Sequence, residues 1–464
     1  MNANSLVFDL GDTLNERPRG GVSNVVVEAG EDSVTGVAGV ALWGPLLDRL
    51  GLVDAADRRG LRPIGAGGYS GGDCYRAVVE TQLAGGDFVS DRSLLADEAT
   101  GRLRGSHVLP STSTLCRFLG GADLGRVAKA AAVNRTMLAR AWAAGAAPPR
   151  GLLTIDPDAT FMHTYGAAKE GSAFHYSHEI GLSPMVGVCG ETGDVLAMRA
   201  RGGSAYAGRA LGSFLDECVA AVPAAARDRY QLWFRSDSAG FTRDVFDAAA
   251  RHHAIFSVTA RQTGNVRARI ERVATTAATV WQPAINSPDE VTDTVITLGQ
   301  HGDARTMRLI VRRQRIRAGD QLSFDDLDGW RFQAVVTNLP ACLATAADVE
   351  HHHRLRGGAP EEAIRQLKHD FGLGHAPVTN FFGNWLWWHA AALAYNTARW
   401  LRVLALPATH TTCRGKRLRL TFLNVAARII TTGRRLILRL PRAYAHTAAF
   451  IEALTRIRAL PTFA

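Results

Sequence analysis

Apolar residues change their spacing twice along this chain, and the changes divide it. From Leu42 to about residue 144 they recur every three or four positions: Leu42, Leu46, Leu47 and Leu50, then the segments 74–83 and 113–119, then an Ala-rich run from Asp123. That period predicts short helices, with Ser111 or Thr112 as an N-cap and with Pro45 admissible only in a first turn. AAPPRG at 146–151 breaks the last of them. Beyond it the apolar residues gather into short unbroken or alternating runs: LLTI (152–155), PMVGVC (184–189), DVLAMRA (194–200), YQLWF (230–234) and AIFSVTA (254–260). With helical patterns at 208–221 and 241–252, the order reads β-β-β-α-β-α-β. TVITL, MRLIVRR and WRFQAVVTN, between about 290 and 340, predict an all-β block, and the chain then returns to three or four helices.

Composition narrows the class. Of 464 residues 47% are hydrophobic and 21% charged, enough to bury a large core in two or three domains and too apolar for a disordered chain. The net charge is +10, but residues 397–464 hold 13 Arg and Lys against the single acid Glu452, a local +12, so everything before them sums to −2. A basic C-terminal region favours a polyanionic partner. The six cysteines form no CxxC pair and read as reduced, buried thiols. Asp9 and Asp12 interrupt the stretch a secretory signal would need, and the apolar segment 385–395 is too short for the ~20 residues of a membrane span. The expectation is a cytoplasmic protein with no membrane partner.

Three segments carry candidate chemistry. In IDPDAT (155–160) Asp156 and Asp158 leave the end of a strand, where carboxylates can share a hard divalent cation; a plain turn has the same composition. In FRSDSAGF (234–241) Asp237 again follows a strand, as a cation ligand or as an N-cap. In PEEAIRQLK (360–368) Ile364, Leu367 and Phe371 form a helix's buried face, beside a polar stripe of Glu361, Arg365 and Lys368 that suits either solvent or a metal ligand next to phosphate-binding cations. Other features carry less. GAGGYSGG (65–72) lacks the GK[ST] of a phosphate loop. His351, His352 and His353 would point about 100° apart on a helix and so serve a local role near the glutamate or stay solvated rather than converge on one metal. Trp385, Trp387 and Trp388 read mostly as core.

Together Asp158, Asp237 and Glu361, spaced by 79 and 124 residues with the β block in the second gap, resemble the acids of DDE transposases of bacterial insertion sequences, in the IS-four superfamily and its insertion-sequence thirteen-eighty group. GGDFVSDRSLL (85–95) and STSTLCRFL (111–119) are similar to that group's N-terminal DNA-binding region. IDPDAT, RSDSAGF and EEAIRQLKHDFGL resemble its three acidic motifs, and NFFGNWLWWHAAALAYNTARWLR (380–402) the segment after its glutamate. The resemblance implies an α/β fold with an RNase H-like catalytic core, an inserted all-β block, an N-terminal helical DNA-binding region and a C-terminal helical region. The corresponding plan is an arm (1–35), a helical DNA-binding region (36–147), the first part of the core (148–288), the β-rich insertion (289–345), the glutamate helix and its successor (346–405) and a basic helical region (406–464).

The resemblance further implies cut-and-paste transposition. Two Mg²⁺ ions, with Mn²⁺ as a substitute, would be held by Asp158, Asp237 and Glu361 for cleavage at terminal inverted repeats and strand transfer. The partners are double-stranded DNA and a second copy of the chain, in the cytoplasm at the nucleoid. Arg356, Arg365, Lys368, Arg414, Lys416, Arg417 and Arg419 would contact DNA, and Arg434, Arg435 and Arg439 could add to them. The superfamily's Tyr position falls here on Arg354 and its Arg position on Gly357, one residue from Arg356, while Glu361 and Lys368 keep the expected interval. Asp156 and Glu362 stay open as alternatives to Asp158 and Glu361. Two rival readings accompany this one: a catalytically inactive DNA-binding descendant, and a haloacid-dehalogenase-like phosphatase, since Asp156-Pro157-Asp158-Ala159-Thr160 literally fits DxDxT and FDLGDTL (8–14) resembles a broken copy.

Overall fold

The computed structural model describes residues 33–61, 68–165, 168–175, 177–299, 304–321, 326–433 and 435–463. The predicted arm, FDLGDTL, residues 65–67 of the Gly-rich stretch and Arg434 lie outside them, except that β1 (Val34–Thr35), which belongs to the arm, pairs antiparallel with a strand near the other end of the chain, Val34 opposite Arg428.

Helices α1 (Val40–Arg49), α3 (Gly71–Ala84), α5 (Thr112–Gly120) and α6 (Leu124–Ala141) follow the three-and-four period, and α2 (Leu52–Arg58) and α4 (Glu98–Arg104) add two short helices that it did not announce. Ser70, Asp97, Ser111 and Asp123 each accept the backbone N–H three residues on, satisfying a donor that the first turn leaves unpaired. Pro45 departs from expectation and sits in the middle of α1. Burial of Leu42, Trp43, Leu46 and Leu47 outweighs the lost helix hydrogen bond.

The next segment builds one mixed sheet from β2 (Gly151–Ala159), β6 (Met185–Cys189), β7 (Val195–Arg199), β8 (Tyr230–Ser236), β9 (Ile255–Thr259), β10 (Gln282–Pro283), β11 (Glu290–Leu298), β12 (Arg305–Arg315) and β13 (Trp330–Thr337). A small sheet of β3 (Met162–His163), β5 (Ile180–Leu182) and β4 (Ala173–Phe174), which the sequence pattern did not announce, intervenes after β2. The large sheet runs β10-β11-β12-β13-β9-β8-β2-β6-β7. β2, β6 and β7 form an antiparallel meander, and β8 and β9 add in parallel. The connecting helices are α7 (Leu211–Ala221), the short α8 (Ala224–Arg227), α9 (Arg243–Arg251) and the unforeseen α10 (Gly264–Thr275). The expected all-β block is not a separate body: β13 pairs with β9, Val336 opposite Val258, so the insertion continues the sheet and covers what would otherwise be an open edge.

Helices α11 (Ala346–Arg354), α12 (Ala359–Asp370) and α13 (Phe381–Trp400) then pack onto these layers, α13 buried along most of its length. The expectation of a wholly helical C-terminal region is corrected. After α14 (Gly415–Leu418) the strands β14 (Ala427–Thr432) and β15 (Arg435–Arg439) form a hairpin, and α15 (Thr447–Ala459) ends the described chain. Ala427 and Ile429 are buried while Arg428 between them is exposed, the period of two that a strand requires. The thiols are free, but Cys116 and Cys342 are exposed, contrary to the expectation that all were buried. Among the described residues no helix is long and apolar enough to cross a membrane.

Candidate active site

Strand β2 runs to Ala159, so Asp156 and Asp158 lie within it rather than beyond its end. Two residues apart on a strand, they point to the same face. Their environments differ. Asp156 is fully buried and accepts two hydrogen bonds from Arg235, Nε at 2.7 Å and Nη2 at 2.6 Å. Both its oxygens are committed to that fork, which fills neither the metal-ligand role considered for it nor that of a phosphatase nucleophile.

Asp158 is partly exposed. Its Oδ1 accepts the N–H of Ala159 at 2.8 Å, and its Oδ2 lies 3.2 Å from Arg356 Nη2. Asp237, directly after β8, accepts the N–H of Ala239 at 2.9 Å, so the capping role foreseen for it is real, and its Oδ2 lies 4.0 Å from the same Arg356 nitrogen. Glu361 stands exposed in the first turn of α12. Burial pushes the Asp158 carboxyl up to about 6; the Arg356 guanidinium pulls against this, and the like charges of Asp237 and Glu361 add to it. Three acids from β2, β8 and α12 thus share one neighbourhood.

The neighbouring predictions divide. Glu362 pairs with Arg365, Nε to Oε2 at 2.7 Å, and accepts Gln366 at 2.9 Å, so Glu362 and Arg365 neutralise each other on the helix surface. Lys368 Nζ donates to the Phe161 carbonyl at 3.0 Å, just past the end of β2. Ile364, Leu367 and Phe371 are buried, as their spacing implied. Arg414, Lys416 and Arg417 are exposed, as are Arg435 and Arg439. Arg419 is not a surface cation: its guanidinium is bonded to the carbonyls of Leu83, Gln82 and Asp370, where it joins α3 to the end of α12. His352 Nε2 lies 3.2 Å from Thr154 Oγ1, and His353 bridges Ser257 and Thr259; burial holds them down at about 4 and about 3, as neutral rings that seat α11 on the sheet. Trp387 and Trp388 are core.

Carboxylate oxygens are the donors that hard divalent cations prefer, and the Arg356 guanidinium stands where a cation would be shared by Asp158 and Asp237. By donor chemistry and by that stand-in charge the residues fit a divalent ion. Among the described residues no three His, Cys, Asp or Glu side chains are gathered closely enough to hold one together.

Sequence reasoning passed over Arg235, which organises the buried side of the site. Its signal was available: Arg235 follows Asp156 by 79 residues, the same interval that separates Asp237 from Asp158. On two neighbouring strands with a period of two, equal intervals put one pair directly beneath the other.

Residues 22–462 match the family described as Transposase DDE domain group 1. No curated protein matches the chain. Among solved structures, it is similar to a piggyBac transposase in a synaptic complex with hairpin DNA, at 10% identity and a TM-score of 0.37, over 77% of this chain and 75% of that one. With a family match spanning nearly all of its length, the chain belongs to the DDE transposases.

Proposed function

We propose that this protein cuts DNA at the terminal inverted repeats of an insertion sequence and joins the freed ends to a target, as a member of the IS-four superfamily and its insertion-sequence thirteen-eighty group. The observation that carries the reading is that Asp158 and Asp237, from neighbouring strands, face the single guanidinium of Arg356, with the charge of Glu361 on α12 near enough to be felt at Asp158. The strand order β7-β6-β2-β8-β9, antiparallel and then parallel, supports an RNase H-like core with the β insertion as its extension. Helices α1–α6 are read as the DNA-binding region.

Asp158, Asp237 and Glu361 are the residues that would hold Mg²⁺, or Mn²⁺ in its place, which when bound activates an attacking water or 3′-hydroxyl and stabilises the leaving oxygen. Arg356 binds the phosphate at the scissile position, and Lys368, held at the end of β2, orients the strand beside it. Arg414, Lys416 and Arg417 add backbone contacts whose strength falls with salt. Arg419 has no part in this, and Arg365 acts only when released from Glu362. Two copies act on two transposon ends, in the cytoplasm and on the nucleoid.

The test is cleavage of a labelled duplex carrying the element's terminal repeat, with and without Mg²⁺, by wild type and Asp237→Asn. Metal-dependent nicking at the boundary, lost in the variant, supports the reading. Folded wild-type protein that binds the repeat but never cuts it would make the chain an inactive DNA-binding descendant.

A further inference from the structure

We infer that the buried Asp156–Arg235 pair is a positioning device that sets the separation of Asp158 from Asp237 and seats the helix leading to Arg356 and Glu361; the inference rests on the transposase reading. The backbone ladder between β2 and β8 ends at Ile155 opposite Phe234. The next rung is made of side chains, the two-pronged bond from Arg235 to Asp156. Each candidate acid sits one strand repeat beyond a member of this pair, Asp158 after Asp156 and Asp237 after Arg235. A repeat on a strand is about 6.6 Å and keeps the same face, so fixing the lower pair fixes the start of the upper one.

The third arm of Arg235 leaves the sheet. Its Nη1 donates to the His352 carbonyl at 2.6 Å, in the last turn of α11, where carbonyls lack helical partners and where a cation is favoured. Arg356 follows four residues later and Glu361 nine. One guanidinium therefore touches β2 directly, belongs to β8, and anchors α11, which leads into the turn and helix bearing the third acid. Space is kept for it: a Cβ on Gly190 would stand 2.9 Å from both Arg235 Nη2 and Asp156 Oδ2. Lysine keeps the charge but cannot reproduce three directed bonds from one planar group.

The experiment compares wild type, Arg235→Lys and Arg399→Lys by thermal melting, Mn²⁺ binding followed by electron paramagnetic resonance without DNA, and cleavage of the terminal-repeat duplex. Arg399 is a matched control, since it bonds the buried Asp194 at 2.8 Å in a cluster that includes neither the candidate acids nor Arg356. The expected result is that both variants fold with lowered melting temperatures, while Arg235→Lys alone loses about 10- to 100-fold in Mn²⁺ affinity and cleavage. Gly190→Ala, which crowds the pair without altering it, is expected to show the same loss in milder form. The inference is overturned if Arg235→Lys binds Mn²⁺ and cuts like wild type, or if Arg399→Lys loses metal affinity equally, since the loss would then track stability alone. Wild-type protein that neither bound Mn²⁺ nor cut DNA would remove the proposed cleavage activity and this inference with it.

Discussion

Two carboxylates on adjoining parts of one sheet show how differently the same group can be used. Asp194, in the turn between β6 and β7, accepts Trp142 Nε1 at 2.8 Å, Arg399 Nη1 at 2.8 Å, Trp400 Nε1 at 3.0 Å and Thr192 Oγ1 at 2.9 Å, and is fully buried. Asp158 has one backbone N–H and one guanidinium at 3.2 Å, with two like charges beside it. Four directed donors seal Asp194 into the architecture. Asp158 has fewer donors and is partly exposed, and a carboxylate kept in that state by the fold is suited to receive a ligand.

The largest effect expected from breaking this contrast is chemical. Asp158→Asn and Asp237→Asn should each lower cleavage by about 100- to 1000-fold or more, with melting temperature nearly unchanged, as read on the labelled duplex. Asp194→Ala should do the reverse. It strands Arg399 in the core and should cost about 3–5 kcal/mol in denaturant unfolding, while the molecules that remain folded cut at the wild-type rate. Next comes the pair on α12: Glu361→Gln should lose most cleavage, whereas Glu362→Gln, which removes a half-exposed charge pair with Arg365 and keeps an oxygen for Gln366, should stay within about twofold of wild type. Equal losses in both would reopen the choice between them.

Smaller effects sharpen the same line between sealed and open groups. Arg417→Ala should reduce the salt slope of duplex binding by about one, whereas Arg419→Ala should leave that slope alone and lower the melting temperature. His389 lies wholly inside the protein, and burial holds its imidazole down at about 3, against an ordinary value of 6.5. The unfolded chain binds that proton more readily across this range, so His389 makes stability fall as pH drops from about 6.5 toward about 3. His389→Gln should flatten the fall in melting temperature over that interval, and an unchanged slope would assign the acid sensitivity to other groups.

Much of this was legible where local rules and tertiary packing agree. Helices α3, α5 and α6, the strands β2, β6, β7, β8 and β9 and the buried face Ile364, Leu367 and Phe371 follow directly from period and capping. Legibility failed where long-range partners decide. Arg419 reads as one of a basic run until α3 and α12 close over it. Asp156 and Asp158 share one motif, and their distant partners, Arg235 for the first and Arg356 for the second, divide their roles only once the chain is folded. The β14–β15 hairpin was hidden because its arginines resemble a basic helix face, although the alternation at 427–429 was present in the text. The continuity of β13 with β9 lies outside local pattern, since periodicity names a strand but not its neighbour.

The pairing of β1 with β14 bears on when the protein can work. Ser33 accepts a hydrogen bond from Ile429 at 2.7 Å, the Phe463 N–H reaches the Arg49 carbonyl at 2.8 Å, and α1 packs on α15. Strand β1 and helix α1 are therefore completed by segments some four hundred positions further along the chain. Contacts separated by some four hundred residues must wait for the later segment and are slow to close. A chain holding the three candidate acids but lacking residues 427–463 would leave β1 and α1 without these partners, so competence to act on DNA is expected to require the β14–β15 hairpin and α15 in place.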